Sequence, residues 1–162
     1  MKPAVFFDRD GTVNDSPGPH YVLRWEDFHF RAGVRDMLRA VKDRGFVPVL
    51  VTSQQCVGKG LLTPADLDDI HGRMQTELGP LRFADIFVCS HLEGTCDCRK
   101  PSPRLILDAA RKHDLALVAS WNIGNDPRDM EMGRRAGVGT NILLGDPTFP
   151  DWTSVLRHWH SA

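Results

Sequence analysis

The stretch AVFFDRDGTVN, residues 4–14, indicates which architecture the rest of the chain completes. Its first four residues form a short, continuous apolar run, which is typical of a strand that is buried on both faces. Asp8 and Asp10 follow this run at once, and Gly11 permits a tight turn behind them. A buried strand that ends in acidic residues favours a parallel sheet with polar chemistry at the carboxyl ends of its strands.

Apolar runs and amphipathic segments alternate along the remaining chain. Further strands are predicted at residues 46–52, 84–89, 120–124 and 140–144. Helical patterns lie between them, at residues 34–45, 64–78, 103–113, 127–137 and, more weakly, 151–160. This alternation predicts an α/β fold, a three-layer, doubly wound parallel sheet with helices on both faces. In such sheets the ligand lies at the carboxyl ends of the strands.

Composition and charge exclude several classes of protein. With 162 residues the chain is expected to be one domain, 1–162, that folds without disulfides. Its formal net charge of −1 argues against a broad electrostatic grip on nucleic acid or on an anionic membrane. No run of about 18 apolar residues occurs, and the N-terminal segment turns acidic before a signal-like region develops. We therefore expect a cytoplasmic monomer with reduced cysteines.

The acid pair is the first candidate for chemistry. Asp8 and Asp10 stand two residues apart at a strand end, where two carboxylates can share one hard divalent cation such as Mg²⁺. One carboxylate could then attack a substrate while the other moves protons. A solvated acidic turn is the alternative. A calcium loop is disfavoured because the further acidic ligands, including a glutamate at the twelfth position, are missing.

Three other strand ends carry polar residues of suitable types. Thr52 and Ser53 end the second strand and could bind a phosphate oxygen through hydroxyl and backbone N–H groups. Lys100 precedes a predicted helix and could neutralise phosphate charge. Asn125 and Asp126 follow the fourth strand and could complete a cation site. Each has an ordinary alternative as a strand end, a solvated lysine or a helix N-terminus, but the four strand ends together favour phosphate chemistry.

With these four elements the chain resembles the haloacid dehalogenase-like phosphatase superfamily. The matching motifs come in the family's order: FFDRDGT (6–12), VLVTS (49–53), Lys100 within CRKP (98–101) and IGNDPRD (123–129). The resemblance is closer to the histidinol-phosphate and D-glycero-D-manno-heptose bisphosphate phosphatase subgroup, through DRDGTVN, WEDFHFRAGV, VTSQQ and CDCRKP. It covers nearly the whole chain and implies a haloacid dehalogenase-like fold and a phosphatase.

The resemblance also implies roles for individual residues. Asp8 would be the nucleophile that forms an aspartyl-phosphate, and Asp10 would protonate the leaving oxygen and then activate water. Lys100 and Thr52 would offset the phosphate charge and hold phosphorus in line with Asp8. Mg²⁺ would be held by Asp8, by the backbone carbonyl of Asp10 and by a residue of the fourth motif.

The chain departs from the family pattern at some of these positions. The family usually has Gly-Asp where this chain has glycine followed by Asn125 and Asp126. The third magnesium ligand is therefore Asn125 or Asp126; charge favours Asp126, with Asp129 in support behind it. Ser53 stands where the subgroup commonly has Asn, and Arg99 matches a subgroup arginine that contacts substrate, so both are expected to bind substrate.

A compact Cys/His cluster precedes the lysine motif. Cys89, His91, Cys96 and Cys98 supply three thiolates and one imidazole, a ligand set typical of a closed structural zinc site. Within each pair, Cys89/His91 and Cys96/Cys98, one residue separates the two ligands. Two such pairs can bind one tetrahedral ion when a short loop brings them together. Redox chemistry would prefer a CxxC at a helix start, and a disulfide or a chance cluster is also conceivable. We expect structural Zn²⁺, separate from catalytic Mg²⁺.

Together these inferences predict a Mg²⁺-dependent phosphomonoesterase without a large cap domain, because the segments between the motifs are too short to hold one. The expected substrate is a small phosphorylated metabolite, a sugar (heptose) bisphosphate or histidinol phosphate, with the sugar preferred on overall resemblance. Two alternatives come from other classes. One is a nucleic-acid 3'-end phosphatase, which the charge disfavours, and the other is a non-catalytic phosphate-binding or zinc scaffold module.

Overall fold

The first strand, β1 (Ala4–Phe7), lies at the centre of a five-stranded sheet in which every pairing is parallel. The structure is a computed structural model that describes all 162 residues. The other strands are β2 (Val47–Ser53), β3 (Asp85–Cys89), β4 (Trp121–Gly124) and β5 (Thr140–Leu143). Their order across the sheet is β3-β2-β1-β4-β5. The chain therefore turns from one side of β1 to the other between β3 and β4.

Six α-helices connect or flank these strands: α1 (Val34–Asp43), α2 (Gln55–Gly58), α3 (Pro64–Leu78), α4 (Arg104–His113), α5 (Pro127–Ala136) and α6 (Trp152–Ser161). Several begin at residues whose side chains satisfy the free N–H groups of the first turn. Thr63, Asp126 and Asp151 each form a capping box at the start of α3, α5 and α6. These local signals explain why the helix starts could be predicted closely.

The sheet lies between two clusters of buried hydrophobic side chains. Val5 and Phe7 of β1 belong to a cluster that contains buried residues of α1, α3 and α6. Ala4 and Phe6, which point to the opposite face, pack with buried residues of α4 and α5. Because both faces are covered, all four residues of β1 are fully buried, as the continuous apolar run predicts.

The predicted fold class is confirmed: a three-layer α/β structure around a parallel sheet. The long connection between β1 and α1 contains only a 3₁₀ helix at Trp25–Asp27, and no large cap domain is present. The sequence patterns missed α2, because four residues are too few to show a helical period. No helix combines the length and the apolar character needed to cross a membrane.

This topology decides where polar residues meet. The neighbours of β1 are β2 and β4, so the residues that follow these three strands lie at one edge of the sheet. The crevice of a doubly wound sheet opens where the strand order reverses, which here is beside β1 and β4. Asp8, Ser53 and Asn125 are thereby brought together from three distant parts of the sequence.

Candidate active site

Asp8 is the central residue of this edge, and it follows β1 directly. Its Oδ1 accepts a hydrogen bond from Nζ of Lys100 at 2.7 Å. The same Nζ lies 2.7 Å from Oδ1 of Asp129, whose side chain is only 3% exposed. Lys100 itself is 8% exposed, so a buried ammonium bridges two carboxylates. Residues more than 90 positions apart in the sequence thus form one charged cluster.

The two charges in contact shift each other's pKa values. Burial raises the pKa of the Asp8 carboxyl to about 7, Lys100 opposes this rise, and the charges of Asp129 and Asp10 add to it. Burial by itself would lower the pKa of Lys100, but the two carboxylates more than compensate and raise it above the ordinary value. The lysine therefore remains charged at neutral pH and is available to a bound anion.

Asn125 lies against the other carboxylate oxygen of Asp8. Its amide group faces Oδ2 of Asp8 at 2.9 Å and the backbone oxygen of Asp10 at 3.1 Å, where the amide nitrogen can donate a hydrogen bond to both; with the amide oxygen turned toward them instead, three oxygens would converge. Two glycines make this arrangement possible. A Cβ on Gly11, whose φ is +83°, would lie 2.1 Å from Nδ2 of Asn125, and a Cβ on Gly124 would meet the Asp129 carboxylate.

Asp126 is placed differently from what its charge suggested. Its Oδ1 accepts hydrogen bonds from the backbone N–H of Arg128 at 2.9 Å and from Nε of Arg128 at 3.0 Å. The side chain is 41% exposed and serves as the N-cap of α5. The free N–H groups at the helix start and the Arg128 guanidinium together hold this carboxylate. The Asp126 side chain therefore points to these donors, and the Asn125 side chain faces Asp8 instead.

Asp10 is held by a network of hydrogen-bond donors. Arg9 donates to both carboxylate oxygens, from Nε at 3.1 Å and Nη2 at 3.2 Å. Asn14 donates to Oδ1 at 2.9 Å and Gln54 to Oδ2 at 3.0 Å. Burial by itself would raise the pKa of Asp10, but Arg9 and these hydrogen bonds outweigh it and hold the pKa below its ordinary value. The carboxylate is thus fixed in orientation and ionised.

These residues open into a cavity of about 240 Å³, lined by Asp8, Asp10, Tyr21, Ser53, Gln55, Arg99, Lys100, Asn125, Asp126, Arg128 and Asp129. Two donors in it lack partners within the protein: the buried Oγ of Ser53 and the buried Nη1 of Arg99. A bound anion could supply the partner that these two groups lack. Thr52 lies outside the lining, and its Oγ1 accepts a hydrogen bond from Gln54 at 2.8 Å. Ser53 therefore faces the ligand more directly than Thr52 does.

The Cys/His cluster is assembled beside this cavity. The Sγ atoms of Cys89, Cys96 and Cys98 and the Nδ1 of His91 all lie within 4.8 Å of one another. Individual separations are 3.1 Å between Cys89 and Cys98, 3.5 Å between Cys89 and Cys96, and 3.3 Å between Cys98 and His91. No cysteine is in a disulfide. Four ligand atoms at these distances form a group that could hold a metal ion.

Electrostatics within the cluster favour a cation. The backbone N–H of Cys98 lowers the pKa of the Cys96 thiol to about 7, so one thiolate forms readily. Burial and the neighbouring thiols raise the pKa of Cys98 to about 12. A thiolate at Cys98 is thus opposed by burial and by the neighbouring thiols, and a divalent cation would offset this cost.

Comparisons with known proteins show which family the chain belongs to. The HAD-hydrolase-like family model matches residues 97–153. A D-glycero-β-D-manno-heptose-1,7-bisphosphate 7-phosphatase from Helicobacter pylori is 38% identical over 146 residues, covering 87% of this chain and 83% of that protein. The protein of the same name from Escherichia coli K12 is 34% identical over 161 residues, covering 92% and 83%. The chain belongs to the haloacid dehalogenase-like hydrolase family.

A solved structure of a related phosphatase aligns with nearly the whole of this chain. The D,D-heptose 1,7-bisphosphate phosphatase from B. bronchiseptica, complexed with magnesium and phosphate, aligns with a TM-score of 0.82 at 28% identity. The alignment covers 97% of this chain and 87% of that one. The predicted family and the phosphatase class are confirmed, because the relatives are phosphatases of this family.

Four residues of this haloacid dehalogenase-like site escaped the sequence analysis: Arg9, Asn14, Gln54 and His71. Their side chains are buried around Asp10, and Nη1 of Arg9 lies 3.1 Å from Nε2 of His71. One signal was present in the sequence. His71 falls on the buried stripe of α3 with Leu67 and Ile70, which indicates a partner inside the protein.

Proposed function

We propose that the chain is a Mg²⁺-dependent phosphomonoesterase that transfers the phosphate of a sugar bisphosphate to Asp8 and then to water. The arrangement of the Asp8 carboxylate is the observation that carries the proposal. One oxygen contacts the buried Lys100 ammonium at 2.7 Å, and the other lies 2.9 Å from the amide group of Asn125, beside the backbone oxygen of Asp10. A carboxylate that lies between a buried ammonium and a group of oxygens able to hold a cation is placed to react with a phosphate, whose charge both cations would offset.

The residues present fit Mg²⁺. Mg²⁺ binds through one or two carboxylates and a few further oxygens and keeps several water ligands, which suits a site with one free carboxylate oxygen, one backbone carbonyl and one amide. The amide group of Asn125 lies 2.9 Å from Oδ2 of Asp8 and 3.1 Å from the backbone oxygen of Asp10, so with its oxygen turned inward the three residues would offer one ion three oxygen ligands. We infer that Asp8, Asp10 through its carbonyl, and Asn125 hold the ion. Bound there, Mg²⁺ would polarise the phosphoryl group.

The first half-reaction belongs to Asp8. Because Oδ2 faces the cation site, Oδ1 is the oxygen that attacks phosphorus, and the bond from phosphorus to the sugar oxygen breaks. Lys100, which contacts Oδ1, neutralises the phosphate oxygens as they approach. The Oγ of Ser53 and the Nη1 of Arg99 find in the phosphate the partner that the protein does not give them. Thr52 does not line the cavity; its hydroxyl oxygen accepts the hydrogen bond from Gln54 and so positions that side chain.

Asp10 moves the proton in both half-reactions. The dianionic phosphate next to it raises its pKa, so that Asp10 enters the reaction protonated and gives this proton to the leaving sugar oxygen. It then takes a proton from the water that attacks phosphorus. That attack breaks the bond to Asp8, releases inorganic phosphate and restores both carboxyl groups. Gln54, Asn14 and Arg9 keep the carboxylate aimed during both steps.

A sugar bisphosphate is the proposed substrate, with histidinol phosphate as the alternative. The relatives of this chain are named as heptose-1,7-bisphosphate 7-phosphatases. Without a large cap domain the cavity stays open, so loop residues such as Arg99 meet the part of the substrate beyond the phosphate. Every residue to which this proposal gives a role belongs to the same chain, and a monomer is the proposed active form.

We further propose that the Cys/His cluster holds structural Zn²⁺. All four ligands come from the protein, which closes the site to substrate. The cluster runs directly into the catalytic loop, because Cys98 is followed by Arg99 and Lys100. The ion would thereby fix the segment that positions the Arg99 guanidinium and the Lys100 ammonium. Its thiols must remain reduced, which suits a cytoplasmic protein.

A substrate panel tests the proposal. Purified protein with Mg²⁺ is expected to release phosphate from a heptose bisphosphate faster than from histidinol phosphate or a 3'-phosphorylated oligonucleotide. Asp8→Asn should lower the rate by roughly 10³-fold or more, because it removes the nucleophile. Asp36→Asn makes the same chemical change at a residue whose side chain is 69% exposed on α1, and it should leave the rate unchanged. Unchanged turnover in Asp8→Asn would contradict the proposal.

A further inference from the structure

We propose that Asn125 makes cation binding in this site depend on phosphate, so that the metal is held tightly only together with substrate or product. The inference rests on the proposed function and adds an order of binding to it. It starts from the charges of the three converging oxygens. Two of them, the Asn125 amide oxygen and the Asp10 backbone oxygen, carry no formal charge.

The single charged ligand is also partly neutralised. Asp8 is ion-paired with Lys100 through its other oxygen, at 2.7 Å. The remaining acids of the site are turned to other partners: the Asp10 carboxylate to Arg9, Asn14 and Gln54, and Asp129 to the lysine. The three carboxylates Asp8, Asp10 and Asp129 carry −3 against +2 from Lys100 and Arg9, so a divalent cation at these oxygens meets a net charge of only −1. Affinity of such sites rises with the number of charged ligands, so the protein alone should bind the cation weakly.

The amide of Asn125 also competes with the cation. Rotated by half a turn, its nitrogen donates to Oδ2 of Asp8 at 2.9 Å and to the backbone oxygen of Asp10 at 3.1 Å. Both oxygens are then satisfied without a metal ion. A carboxylate at position 125 could not do this, because it has no proton to donate. Asn125 thus provides two hydrogen-bonding states, one for the site with a cation and one for the site without it.

Phosphate supplies what the protein lacks. A dianion over Asp8 adds negative charge and ligand oxygens next to the cation site, and the orphaned donors Ser53 Oγ and Arg99 Nη1 give it a place to bind. Each partner then strengthens the binding of the other by the same factor, since coupling between two equilibria is reciprocal. Asn125 also lines a second, larger cavity of about 550 Å³.

Mn²⁺ binding measured by the electron paramagnetic resonance signal of the free ion tests this coupling on the reduced, zinc-loaded protein. Titrations are made with and without inorganic phosphate. For the natural sequence, phosphate should tighten Mn²⁺ binding at least about tenfold. Asn125→Asp adds one charge and removes the competing donor, so it should bind Mn²⁺ about tenfold or more tightly without phosphate and show a smaller coupling factor. Thr148→Asp, on an exposed loop, adds the same charge elsewhere and should bind like the unmodified protein.

Each result bears on the inference. Equal Mn²⁺ affinity with and without phosphate in the natural sequence overturns it, as does Asn125→Asp with unchanged affinity or an equal gain in Thr148→Asp. If Asn125→Asp fails to fold, Asn125→Ala takes its place. That variant should lose the coordinating oxygen and bind Mn²⁺ more weakly with phosphate present. Phosphate release at saturating Mg²⁺ with no coupling overturns this inference alone, whereas no release at any Mg²⁺ concentration overturns the proposed function.

Discussion

Acid is expected to destabilise this protein through one buried histidine, His71 of α3. The residue is 6% exposed, and its Nε2 faces Nη1 of Arg9 at 3.1 Å. Arg9 can only donate, so Nε2 must accept and the imidazole must be neutral. Burial, together with the positive charge of Arg9, lowers the pKa of His71 from 6.5 to about 3. Protonation would set two cations against each other inside the core.

The size of the effect follows from these two pKa values. Between pH 6.5 and pH 3 the unfolded chain binds a proton at this position and the folded chain does not. The free energy of unfolding therefore falls as pH falls, by about 1.4 kcal/mol per pH unit, and the full contribution is present only above pH 6.5. Between pH 7 and pH 4.5 His71 should account for a loss of about 2–3 kcal/mol.

Urea denaturation of the natural sequence and of His71→Gln at pH 7, 6, 5 and 4.5 measures this contribution. Glutamine can accept the Arg9 hydrogen bond but takes up no proton, so its curve of unfolding free energy against pH should be flatter by the stated amount. Acid effects on carboxylates and on the Cys/His cluster are common to both proteins and cancel in the difference. Parallel curves for the two proteins would refute the reasoning.

Three further changes test other contacts. Asp129→Asn removes one charge of a buried ion pair and should cost about 3 kcal/mol in urea denaturation, with a lower kcat; an unchanged midpoint would contradict the burial argument. Cys98→Ser should bring zinc well below one ion per chain by metal analysis and lower Tm, and a full zinc content would exclude this thiol as a ligand. Gly11→Ala should weaken Mn²⁺ binding by displacing Asn125, whereas Gly60→Ala, with a similar φ of +74° and open space around it, should only lose some stability.

Local signals explain how much of the fold the sequence could predict. Short apolar runs mark each strand within a residue or two, and capping residues such as Thr63 mark helix starts. These signals act over a few neighbouring residues, so they survive without knowledge of the rest of the chain. The same reasoning missed α2 and the buried network around Asp10. Gln54 and His71 become its neighbours only after β2 and α3 pack against β1.

The choice between Asn125 and Asp126 shows where sequence reasoning stopped. Charge alone pointed to the carboxylate, because a divalent cation prefers negative ligands. In the folded protein Asp126 is the N-cap of α5, and Gly11 leaves room for the Asn125 amide. Periodicity therefore determined the parallel sheet and the residue types at its edge, and the resemblance of the four motifs indicated the family. Only the tertiary structure decided which side chain faces Asp8, because that depends on competing partners and on space.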